Sequence, residues 1–225
     1  MTIADPENPP EYRSPETSAE RAFRYVRRRI WEGSLVQGSR VSQDEVAEAI
    51  GSSRIPVREA LIALERDGII RMEPNRGAFV EELDEGMVRD HYEFYGLILG
   101  FAVQRTAERA DPEVQGALVS IRDQIGDDAD PATISRVSAD FHALVRRAGG
   151  SPRLRAVSQG LVGLVYGDFF EEVPGSSEVA QAALPTIIDD MVRGDGATAF
   201  DHYRFMQRQH GLLVVDVMRR RGLIG

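Results

Sequence analysis

Between Ser42 and Gly68 the chain starts a helix twice and stops it twice. Ser42 and Glu45 have capping-box spacing, in which a hydroxyl and a carboxylate satisfy each other's free backbone N–H groups. The short helix that follows turns Val46, Ala47 and Ile50 inward and stops at Gly51. Ser53 then caps a second helix, whose Val57, Leu61 and Leu64 share one face before Gly68 ends it. Pro56 sits in the first turn of that helix, where a missing N–H costs nothing. Upstream, Thr17 and Glu20 repeat the capping box and open a helix to about Glu32, with Phe23, Val26 and Ile30 on its apolar face. Downstream, "IIRM" and "AFVEEL" are short β-prone runs around the turn "EPNRG". Three helices followed by a hairpin make a winged helix-turn-helix layout.

From Asp84 onward no convincing strand is found. Helical runs occupy about 85–110, 113–126, 132–148, 152–169, 178–193 and 196–221. Asp111–Pro112 and Ser151–Pro152 are N-cap-then-proline starts, and "AGGS", "VPGSS" and "RGDG" break the runs. Six helices with short loops predict an antiparallel bundle. The expected fold is mainly α: a winged helix-turn-helix with a small β-hairpin wing over 17–82, then an all-α antiparallel bundle over 83–225. Residues 1–16, acidic and Pro-rich, read as a disordered tail.

The chain is acidic, with a formal net charge of −9, but unevenly so. Every basic residue is arginine, and residues 17–80 hold 11 Arg against 9 Asp and Glu. A mildly basic N-terminal third joined to an acidic remainder fits a nucleic-acid module attached to something else. In a helix-turn-helix the second helix enters the major groove N-terminus first. Arg54 and Arg58 lie one turn apart there, so both guanidinium forks can reach one groove. Ser53 and the helix N-terminus offer donors to phosphate. Asn75 and Arg76 occupy the hairpin tip, with Gly77 supplying backbone freedom, and a wing-tip arginine can enter the minor groove.

The strings "SRIPVREAL" and "LERDGII…NRGAFV" together resemble the DNA-binding domain of the GntR family of bacterial transcriptional regulators. "RTAERA", "DFHALVRRAGGSPRL" and "MVRGDGATAF" resemble the FadR-type subfamily, with its all-helical FCD-type effector domain. The resemblance implies a homodimer on a palindromic double-stranded DNA operator, a repressor controlled by a small-molecule effector in the helical domain. By matching position, Ser53, Arg54 and Arg58 of the recognition helix would face DNA, with Asn75, Arg76 and Gly77 of the wing.

Many members of that subfamily are similar in holding a metal with an Asp, a His four residues later, and two later His about 22 apart. Here His142 matches the first His, but Ser138, Leu184 and Met206 stand at the other three positions. A further position that often carries an anion-gripping Arg is Tyr95, and the Glu expected one turn on is Leu99. No cofactor is therefore expected. The proposed effector is apolar or acyl-like, bounded by Tyr95, Leu99, Ser138, His142, Leu184 and Met206, with Tyr95, Ser138 and His142 as polar handles. The alternative is a zinc-like divalent ion regrouped on His142, His202 and His210, assisting a carboxylate effector. Gly96 and Gly100, four apart, allow a helix or a ligand to approach closely.

Other classes have less behind them. The absence of cysteine removes thiolate catalysis and disulfides. Four scattered histidines and no nucleophile motif such as G-x-S-x-G speak against a metal-dependent or hydrolytic enzyme. A non-DNA interaction module would have no need of Arg54, Arg58 and the wing. No signal peptide or membrane span is read, so the expected place is the cytoplasm, with no membrane partner.

Overall fold

A computed structural model of the chain describes residues 16–126, 128–159, 161 and 164–224. The tail expected over 1–16 lies outside the described residues except for Glu16. The chain divides into two units between Leu83 and Asp84, each with its own core.

The first unit opens with α1 (Ser18–Trp31), started by the Thr17–Glu20 capping box: the Glu20 amide donates to Thr17 Oγ1 at 3.2 Å and the Thr17 amide to Glu20 Oε2 at 2.8 Å. α2 (Gln43–Ala49) is capped by Ser42, and α3 (Arg54–Arg66) begins at Ser53. Between them Gly51 holds φ +63, a left-handed turn that L side chains rarely adopt. Val57, Ala60, Leu61 and Leu64 of α3 pack with Ala22 and Val26 of α1 and Val46 of α2.

The sheet has one strand more than the sequence suggests. β2 (Ile70–Glu73) and β3 (Gly77–Val80) form the hairpin, and β1 (Arg40–Val41) pairs antiparallel with the other edge of β3, giving the order β1-β3-β2. Two residues are too few to show a period, so β1 exists only by virtue of its partner.

The second unit is helical: α4 (Glu85–Arg109), α5 (Pro112–Arg122), α6 (Pro131–Ala148), α7 (Pro152–Gln159), α8 (Phe169–Glu172), α9 (Ser176–Val192) and α10 (Gly196–Arg220). The single helix expected over 152–169 is corrected: α7 ends at Gln159 and α8 starts at Phe169, capped by Asp168. α4 and α10 pack along their lengths because glycines let them. A Cβ on Gly96 would lie 3.3 Å from Arg204 Cα, and one on Gly211 2.9 Å from Tyr92 Cβ. The Gly96 and Gly100 pair thus admits a helix, α10. The core under them is built from Leu99, Val103, Phe141, Leu184, Ile187, Ile188 and Tyr203.

At the end of α6 the packing is tighter still. A Cβ on Gly149 would overlap the Ala102 carbonyl oxygen and meet Thr106 Oγ1 at 2.6 Å. Gly149→Ala must displace backbone and is expected to cost about 1–3 kcal/mol. A lower denaturant midpoint with unchanged slope is the measurement that checks it.

Candidate functional site

Two places combine chemistry with access, one in each unit. In the first, the N-terminal turn of α3 stands out in solvent. Ser53 has extended N-cap geometry, yet its side chain makes no cap hydrogen bond, so its hydroxyl is free for an outside acceptor. Arg58 is exposed and has no hydrogen bond or ion pair among the described residues. Arg54 instead reaches back to α2, where its fork takes both oxygens of Asp44; the Nη2–Oδ2 bond is 2.7 Å. Both partners are about two-thirds exposed, so the pair is worth little and its guanidinium can be taken by a stronger anion. Ile55, 73% exposed beside them, is an apolar side chain with nothing to bury it.

The hairpin closes through Pro74, Asn75 and Arg76, with Glu73 opposite Gly77. Asn75 takes φ 61 and Gly77 φ 101, which is the turn chemistry the tip needs. Arg76 is folded back: it pairs with Glu73 and lies 5.4 Å over the Phe79 ring. The register adds residues that the sequence did not single out. Arg40 and Arg71 both stand directly opposite Phe79, one from each flanking strand. Arg71 stacks on Phe79 at 5.5 Å and pairs with Glu73, while Arg40 is exposed with no ion pair or hydrogen bond among the described residues. The hairpin alone brings Arg71 and Arg76 to the Phe79 ring, and β1 adds Arg40 opposite Phe79 in the ladder.

In the second unit α4, α6, α8, α9 and α10, with Leu161, Leu164, Val165 and Gly167, line a half-open cavity of about 280 Å³. Of the six residues expected at an effector, Tyr95, Ser138, His142 and Met206 line it. Leu99 and Leu184 do not: both are fully buried in the core, on the same helix faces as the core residues Val103 and Ile187. The wall also contains His91, Tyr92, Phe169, Phe170, Gln207 and His210. The aromatic and histidine character of this wall could not be read from any one helix: α4 contributes His91, Tyr92 and Tyr95, and the rest come from α6, α8 and α10.

The three candidate metal histidines separate. His142 and His210 line the cavity, whereas His202 is hydrogen bonded through Nδ1 to the buried Asp190 at 2.6 Å and is not on its wall. Among the described residues no three His, Asp or Glu are placed to hold a metal ion. With Ser138, Leu184 and Met206 at the remaining subsidiary positions, the donor set does not fit a zinc-like ion.

The polar groups of the cavity are largely committed to one another. His142 Nε2 meets Tyr203 Oη at 3.0 Å, and its ring also bonds the Ser138 backbone. Tyr203 is tied further to Tyr95 and Gln207. Burial pushes the His142 imidazole down to about 3, with the Arg146 charge adding to it, and burial pushes His91 and His210 down to about 4. All three rings are therefore neutral at pH 7. Ser138 Oγ is buried with no hydrogen-bond partner among the described residues.

The family described as "Bacterial regulatory proteins, gntR family" matches residues 18–80, and the FCD domain matches residues 90–205. An uncharacterized HTH-type transcriptional regulator of Mycobacterium tuberculosis is 33% identical over 137 residues, covering 60% of this chain and 56% of the relative. The HTH-type transcriptional regulator YdhC of Bacillus subtilis, also uncharacterized, is 25% identical over 127 residues, covering 55% of this chain and 57% of its own length. The matches span just over half the length of these curated relatives. Among solved structures, Escherichia coli McbR/YncC superposes with a TM-score of 0.59 at 17% identity, covering 91% of this chain and 99% of that one, a likeness of fold.

Proposed function

The chain belongs to the GntR family of bacterial regulatory proteins with an FCD domain, and we propose that it is a DNA-binding transcriptional regulator, a repressor, controlled by a small molecule in its helical unit. The observation that carries this reading is the first turn of α3. It presents Arg58 and the Ser53 hydroxyl without partners, and Arg54 in an exposed pair. Arg58 would read a guanine edge, Ile55 would meet a thymine methyl, and Ser53 with Arg54 would hold phosphates. Asn75, Arg76 and Gly77 would bring the wing to the neighbouring groove, with Arg40 on the backbone.

A homodimer on a palindromic operator is supported by apolar side chains left in solvent on the helical unit, Phe94 and Phe101 of α4 and Phe205 of α10. The site of action would be the cytoplasm, where the operator is. Among the described residues no helix is long and apolar enough to cross a membrane. The test is a mobility shift on the DNA upstream of the protein's own gene, with unrelated DNA as competitor. Specific retention that weakens steeply with salt is expected; retention no stronger than on competitor DNA would end the reading.

Asp44 supplies a second test. It places a negative charge beside the DNA-facing turn and occupies the Arg54 fork. Asp44→Asn is expected to tighten DNA binding about 2–5-fold at low salt, as releasing an exposed pair should. The gain should shrink as salt is raised.

A further inference from the structure

We propose that the helical-unit cavity takes a compact, uncharged molecule carrying a hydroxyl on an aromatic or alicyclic frame, and that it rejects carboxylates. This rests on reading the cavity as the effector site and names the ligand's chemistry.

The frame follows from the wall. Tyr92, Phe169 and Phe170 face the space, Phe169 lies edge-on to His210 with ring centroids 5.1 Å apart, and Met206 and Ala180 fill between. About 280 Å³ is at the small end of ligand pockets, which suits a ring system better than a long acyl chain.

The hydroxyl follows from what is left over. The Tyr95–Tyr203–His142 chain, with Gln207 attached, ends on Arg146 and on the Ser138 backbone and offers little to a ligand. Two groups remain. Ser138 lines the cavity, and its buried hydroxyl can both donate and accept. His210 Nε2 lies 3.2 Å from the Ser176 carbonyl oxygen, which can only accept, so the proton sits on Nε2. In a neutral ring the other nitrogen is then a bare acceptor. It has no partner among the described residues. A ligand O–H donates to that nitrogen and accepts from Ser138.

A carboxylate can do neither job well. It brings only acceptors to an acceptor, and among the described residues no arginine is on the cavity wall. The Arg146 cation is engaged with Tyr95. Charge of both signs is thus held against wall residues: Arg146 is bonded to Tyr95, and Ser135 Oγ donates to Asp168 Oδ2 at 2.6 Å. Burying an unpaired carboxylate in such surroundings is strongly unfavourable.

The test uses two probes of one shape, 2-naphthol and 2-naphthoate, with the full chain. Calorimetry should give a dissociation constant for 2-naphthol at least about 10-fold below that for 2-naphthoate. Ser138→Ala removes an unsatisfied buried hydroxyl, so the free protein should melt about 2–4 °C higher. The same variant should bind 2-naphthol about 2–10-fold more weakly, which a merely structural serine would not do. His210→Phe, which keeps a ring and removes the acceptor, should weaken 2-naphthol in the same way. Equal or tighter binding of 2-naphthoate, no binding of either probe, or unchanged 2-naphthol affinity in both variants would each overturn the inference. Binding of 2-naphthol that leaves DNA affinity unchanged would uphold the ligand class and defeat the effector reading alone.

Discussion

Arg58→Ala is expected to lower operator affinity about 10–100-fold, with most of the loss at one base position. A bidentate guanidinium–guanine contact discriminates by about 1–3 kcal/mol. Arg58 is the side chain best placed to make one. It lies one turn inside α3, exposed, with no partner to desert. Arg54 must first leave Asp44, and Arg76 must leave Glu73 and Phe79. Arg58→Lys separates charge from shape. An ammonium keeps phosphate attraction but lacks the planar fork. The lysine variant should therefore recover binding to nonspecific DNA while base discrimination stays lost. Titrations against an operator and its single-base variants at two salt concentrations decide the matter. An alanine variant that binds every sequence as the natural protein does would remove Arg58 from recognition.

Acid should unfold the helical unit well before its carboxylates titrate. Burial holds His142 at about 3 and His91 and His210 at about 4, below the ordinary imidazole value near 6.5. The unfolded chain therefore binds more protons than the folded one between those limits, and stability rises with pH across that window. Falling from pH 7 to pH 5, each ring withdraws up to about 1–2 kcal/mol, several kcal/mol together. Near pH 4 and below, the capping carboxylates Asp130 and Asp195 add their share. Both are held below the usual carboxylate range by hydrogen bonds from Thr133 and Thr198, so their contribution is lost as pH falls through the lowered value. Urea unfolding at pH 7, 6 and 5 measures the slope. His210→Phe should remove about a third of the loss between pH 7 and 5, since one of three depressed rings is gone. A flat profile over that range would show that the rings are hydrated.

The first turn of α3 was legible because its determinants are neighbours in sequence. Ser42 caps α2, Gly51 turns the chain, and i, i+4 spacing puts Arg54 and Arg58 on one face, while the cap expected of Ser53 is corrected: it takes the N-cap position without a side-chain cap bond. Arg40 was not legible. Its place opposite Phe79 depends on a two-residue strand that has no pattern of its own. The cavity lining was legible in part, for a similar reason. Tyr95, Ser138, His142 and Met206 line one cavity, but Leu99 and Leu184 turn into the core, and no periodicity distinguishes a core wall from a cavity wall.

The sequence by itself determined where helices begin and end, the winged layout, and the charges offered by the first turn of α3. These are local free energies of capping, turn formation and periodic burial, and each is settled within a few residues. Only the tertiary structure decided what the cavity is. His91 and Tyr92 come from α4, Ser138 and His142 from α6, Phe169 and Phe170 from α8, and Gln207 and His210 from α10. A cavity is the volume left where distant helices fail to fill space, so its shape and its free polar groups are set by all of their packing at once. The neutral imidazoles follow from that enclosure, and so does the Ser138 hydroxyl without a partner.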